Sequence, residues 1–163
     1  MLKDFFSAAR QSKRDDAELG KGVWRRVYDR FHRGLDRFHQ MLEGLEAAGF
    51  EQTAAGERAA QSYPPVVGVA DALADLLPEV RRIAVAAHAA APSQGMEIPT
   101  GTGGKFNDVH RELSRAGNAL AAASEAVALV RLGAGEVSGV ELKATIVQEH
   151  VSRAAALLDA NPR

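Results

Sequence analysis

Between Lys21 and Leu45 the chain places Trp24, Tyr28, Phe31, Leu35, Phe38, Leu42 and Leu45 at alternating steps of four and three residues. That spacing puts all seven on one stripe of an α-helix, and a stripe of such large side chains needs a partner surface to cover it. At about 100° per residue, Arg26, Arg30, Arg33 and Arg37 fall on the opposite side, so one helix carries an apolar seam and a basic face.

The rest of the chain supplies helical partners. Phe106, Val109, Leu113, Ala116, Leu120, Ala123, Val127 and Val130 form a second seam of the same period, bordered by Ala119, Ala122 and Ala126. Val140, Ile146, Val147, Val151, Ala154, Leu157 and Leu158 give a last helix its buried side. From about Pro65 to Ala91 the apolar residues again keep helical spacing, with Pro78 predicting a kink or a split into two helices. No run of period two appears, which excludes a sheet as the main architecture.

Local signals punctuate these segments. Asp15 and Asp16 read as acidic residues of a first helical turn, Gly20 and Gly22 as a break, and Gly49 as a C-terminal cap. Gly34 and Gly44, inside the aromatic helix, permit close approach of another backbone. Residues 50–65 read as a connection holding a turn or two of helix, the next helix opening near Pro64 and Pro65. The run from Pro92 to Gly104 is a loop, and Ser138 with Glu141 is the spacing of a capping box. The last helix ends near Ala160, before Asn161 and Pro162. The expected fold is all-α: an antiparallel, up-down four-helix bundle with a short extra N-terminal helix. Residues 1–14 form an amphipathic N-terminal segment and residues 15–163 a single bundle domain.

Composition narrows the chemistry. A chain of 163 residues buries an adequate core without staples, and the absence of cysteine excludes disulfides, thiolate catalysis, iron–sulfur ligation and cysteine-bound zinc. The opening MLKDFFSAARQSKRDD lacks the apolar core of a signal peptide, and no stretch reaches the roughly 20 apolar residues of a membrane span, so a cytoplasmic location is expected. Abundant Ala and Arg with little Lys suggests a GC-rich bacterial source. Charge is uneven: residues 1–40 hold ten Lys/Arg against six Asp/Glu, and residues 41–163 hold ten against fifteen.

Signals for catalysis are sparse. His32 and His39 lie seven apart on one side of the aromatic helix, and His88, His110 and His150 sit on the other helical segments with Glu112 and Glu149 beside two of them. The Glu-x-x-His pairing of bundle metal sites is absent, so no metal is expected. Glu43 with Glu46, and Asp71 with Asp75, are carboxylate pairs that would hold magnesium if their faces met, but each is isolated in sequence. The GTGG at 101–104 precedes Lys105, yet Phe106 replaces the hydroxyl residue of a phosphate loop and no strand leads into it. No glycine-rich nucleophile turn occurs, so no catalytic residue or cofactor is assigned.

The arginine face is the clearest surface feature. Arg26, Arg30, Arg33 and Arg37 align over about three turns with Arg25 nearby, and Asp29 and Asp36 stand at spacings that allow Arg–Asp pairs. Helices of this length do not make a helix-turn-helix, which argues against nucleic acid. Arginine is enriched at protein interfaces, and the remainder of the chain is acidic. The expectation is a non-enzymatic protein that uses these four arginines to bind an acidic protein partner or a second copy, as a homodimer. The alternative is a ligand- or metal-binding bundle, possibly a metal-dependent hydrolase, using inward His, Glu and Asp. Leu2, Phe5, Phe6 and Ala9 share one side of a first helix with basic residues around it, which allows at most weak peripheral membrane contact through residues 1–14.

Overall fold

The computed structural model describes residues 1–98 and 104–160. Among them the chain forms helices α1 (Leu2–Leu19), α2 (Val23–Ala48), α3 (Ala54–Ala74), α4 (Leu77–Ala90), α5 (Lys105–Arg131) and α6 (Val137–Asp159), with no strand. No helix among the described residues is long and apolar enough to cross a membrane.

The aromatic seam becomes the core side of α2. Trp24, Phe31, Leu35, Phe38, Leu42 and Leu45 are buried, and Tyr28 is half-buried at the edge. Trp24 stands edge-on to Phe106 and His110 at the start of α5, Gly34 faces Leu120 in its middle, and Gly44 faces Arg131 at its end. Helices α2 and α5 therefore run in the same direction. Helix α6 opposes α5, and α4 opposes α2. Lys105 Nζ donates to Ala160 O at 2.7 Å, joining the start of α5 to the end of α6. Trp24 Nε1 donates to Ala91 O at 2.9 Å, joining the start of α2 to the end of α4.

Several local expectations change. Asp15 and Asp16 belong to the last turns of α1, because Leu2–Leu19 is one helix. Gly49 closes α2 in right-handed geometry, φ −65°, and its missing Cβ makes room for Ala60 Cα of α3, 3.1 Å from where that atom would lie. At Gly34 and Gly44 the space is taken by side chains of α5. Helix α3 opens at Thr53, whose hydroxyl accepts from Gly56 N at 3.0 Å, so Pro64 and Pro65 lie inside it. Each proline frees a carbonyl one turn earlier, at Ala60 and Gln61, and all four residues are exposed, which lets solvent satisfy them. Pro78 opens α4, where its missing N–H costs nothing, so the segment splits into two helices at 75–76. Helix α6 begins after Glu136, which leaves Ser138 inside the first turn with no capping bond. Ile146 is 37% exposed, while Val140, Val147, Val151 and Ala154 are buried. The GTGG segment apart from Gly104, and the stop at Asn161–Pro162, lie outside the described residues.

Candidate interaction face on the second helix

Four of the five arginines near the start and middle of α2 line its outer side, and the structure divides them by what they touch. Arg26 Nη1 donates to Gly95 O at 3.2 Å and contacts Met96 Sδ, tying the loop after α4 to α2. Arg30 Nη2 donates to Asn118 Oδ1 on α5. Both guanidiniums thus meet neutral acceptors, which fix their positions and leave their charge uncompensated. Arg33 and Arg37 are exposed and make no hydrogen bond or ion pair among the described residues. The anticipated Arg–Asp neutralisation goes elsewhere: Asp29 pairs with Arg25 at 3.0 Å and Asp36 lies 3.5 Å from His32 Nδ1.

Arg25 belongs to a second cluster that the linear spacing did not reveal. It also reaches Asp16 at 2.9 Å and Asp15 at 3.9 Å, both on α1. From α4, Arg81 stands 2.8 Å from Asp15 Oδ1 and 2.7 Å from Glu18, with its guanidinium 5.3 Å from the centre of the Tyr28 ring. Arg81 Nη1 has no well-aligned hydrogen bond, so its contact with Asp15 is ionic. Burial alone lowers the Arg81 pKa, but Glu18, Asp15 and Tyr28 beside it outweigh that and push the pKa above its ordinary value. Carboxylates at the end of a helix oppose its dipole. Here two arginines from other helices compensate them, and the pairing holds the end of α1 against α2 and α4.

The histidines scatter. His39 Nδ1 lies 2.8 Å from Leu35 O of its own helix, and His88 Nδ1 accepts from Ser93 N at 3.3 Å. His110 packs edge-on to Trp24, and burial lowers its pKa. His150 pairs with Glu112 across α5 and α6 at 2.7 Å, and Arg115 adds a 2.8 Å bond to the same carboxylate. Burial pushes the Glu112 carboxyl up, but the bonds from His150 and Arg115 and their charge prevail and hold it below its ordinary value. Glu112 therefore partners the histidine 38 residues away, not its sequence neighbour His110. Among the described residues no three of His, Asp and Glu converge as a metal site would require. The pairs Glu43–Glu46 and Asp71–Asp75 do not meet either; Glu46 instead faces Tyr63, whose pKa rises through burial and that carboxylate.

A cavity of about 250 Å³ opens beside the arginine face, between Arg26, Arg30 and Met96 on one side and His110 and Ser114 on the other. Its walls are mostly apolar side chains and arginine stems, and no acid lines it. Two guanidiniums and no carboxylate give this surface a positive potential. Comparison with known protein families, curated proteins and solved structures finds no match to this chain.

Proposed function

We propose that this chain is a non-enzymatic helical-bundle protein, cytoplasmic and homodimeric, whose α2 arginine face binds the acidic surface of a second copy. The supporting observation is that, among the described residues, Arg33 and Arg37 stand exposed and unpaired on the helix whose other arginines are held by neighbours. The excess of Asp and Glu beyond residue 40 supplies the complementary surface. In this reading α2 with α3–α4, and α5 with α6, are antiparallel hairpins around one core. They make a four-helix bundle whose second leg is broken, and residues 1–14 are appended to it.

The test is native mass spectrometry with sedimentation velocity on the wild type and on an Arg33→Glu/Arg37→Glu variant. Like charges placed face to face at an interface cost several kcal/mol, on the order of a hundredfold or more in affinity. The wild type is expected to dimerise with no added mass, and the variant to be monomeric with unchanged helicity. A dimer that survives the reversal, or a monomeric wild type, overturns the proposal. Arg30 is left intact because its bond to Asn118 joins α2 to α5.

A further inference from the structure

Helix α1 is divided along its length. Its last turns carry Asp15, Glu18 and Leu19; Leu19 is fully buried, and the two carboxylates are clamped by Arg81 with help from Arg25. Every residue from Met1 to Arg14 is exposed. Leu2, Phe5 and Phe6 keep 74%, 72% and 55% of their surface open, and the two rings rest edge to face at 6.2 Å against each other rather than on the body. The spacing Leu2, Phe5, Phe6, Ala9 places them on one helical face. Lys3, Arg10 and Lys13 flank that face or continue it, and Asp4, Ser7 and Gln11 lie opposite. Among the described residues, Arg14 alone of the four basic side chains in this stretch has an ion-pair partner, Glu18 at 3.8 Å.

We infer that residues 2–14 are a membrane-surface helix that docks on anionic lipid. The bare stripe is too small to hold a bilayer by its apolar area alone, and the basic residues alone would give only diffuse attraction. Together they make the two-part signal of reversible interfacial binding, in which rings enter the headgroup boundary and cations meet lipid phosphates and carboxylates. The acidic half of α1 does not oppose this, because body arginines already compensate it. The clamp gives the helix a fixed exit from the bundle, so docking would hold the folded body at the lipid surface. The inference is independent of the α2 arginine face.

The experiment is co-sedimentation of the full chain with phosphatidylcholine vesicles and with phosphatidylcholine–phosphatidylserine vesicles, at low and raised salt. Binding is expected only with phosphatidylserine, and salt should weaken it. Two surface variants test the parts: Phe5→Ser/Phe6→Ser should abolish binding, and Lys3→Glu/Arg10→Glu/Lys13→Glu should weaken it on the order of a hundredfold or more. Circular dichroism should show both variants folded, and Arg33→Glu/Arg37→Glu should bind vesicles as the wild type does. Failure to sediment with phosphatidylserine vesicles overturns the inference, as does equal binding to both vesicle types. A third overturning result is a change of oligomeric state in Phe5→Ser/Phe6→Ser without vesicle binding by the wild type, which would make a second copy the occupant of this face.

Discussion

Helix α2 brings Trp24, Phe31 and Phe38 to the core, whereas α5 brings Ala116, Ala123 and Ala126 between its larger residues, and α6 adds Val147, Val151 and Ala154. The hairpin of α2 with α3 and α4 is filled by rings and contains a break at 75–76 and three prolines. The α5–α6 hairpin has two unbroken legs with small side chains, and among the described residues it forms the most extensive helix pair. Small residues let helix axes come close and spread the contact over many weak touches, while rings concentrate it in a few large ones. The two hairpins should therefore fail in opposite ways: the first to loss of volume, the second to excess of it.

The largest effect belongs to the first. Trp24→Ala removes a fully buried indole and leaves the Ala91 carbonyl without its donor, so a loss of about 3–5 kcal/mol in a urea titration is expected. An equally stable variant would show that the rings of α2 do not carry the hairpin. Next comes overpacking of the second. Ala123→Leu inserts three carbons where no surface is open, and should cost about 1–3 kcal/mol. If Ala123→Leu were neutral, the α5–α6 contact would be looser than its small residues imply.

How much of this contrast could be read from the chain depends on distance along it. The seams of α2 and α5 were legible because seven or eight large and small apolar residues repeat within one helix, and burial follows that stripe. Pro64 and Pro65 misled, because the exposure that lets solvent serve the freed carbonyls is decided by the tertiary packing of α3. The arginine face was legible as a direction on α2, but its division was not. Arg26 and Arg30 find acceptors 69 and 88 residues away, and no spacing rule spans such gaps. Arg81 was not legible for the same reason. Its partners on α1 are more than 60 residues off, and the only local hint was an acidic pair at 15–16 that read equally well as a helix start.

The pair between Glu112 and His150 gives a smaller and pH-specific test of the second hairpin. Glu112→Gln should cost about 1–2 kcal/mol at neutral pH, since it replaces a charged acceptor of two partly buried bonds. The carboxyl is held below its ordinary 4.5 when folded, so the unfolded chain binds more protons near that value. Its stabilisation is complete above 4.5 and is lost as pH falls through the depressed value. His110 acts in a higher window. Burial depresses it below 6.5, so protonation favours the unfolded chain and stability falls as pH drops from there. Thermal unfolding from pH 7.5 to 3.5 should show both losses in the wild type and a smaller lower one in Glu112→Gln, because the bond from Arg82 holds the Glu79 carboxyl below its ordinary value too. A variant that keeps the whole lower loss would place it on other carboxylates.

The smallest effect is a gain, and it sharpens the contrast within the first hairpin. Gly68 lies inside α3 on the exposed side, and a Cβ there meets nothing within 4 Å. Alanine restricts the unfolded chain and suits the helix, so Gly68→Ala should raise stability by about 0.5–1 kcal/mol. The same change at Gly34 gains the same propensity but puts its Cβ 2.7 Å from Cδ2 of Leu120, a side chain with no exposed surface in which to shift. Matched denaturation curves should therefore separate the two alanines in sign, Gly68→Ala above the wild type and Gly34→Ala below it. Two equal gains would mean that the α2–α5 contact yields to a methyl group.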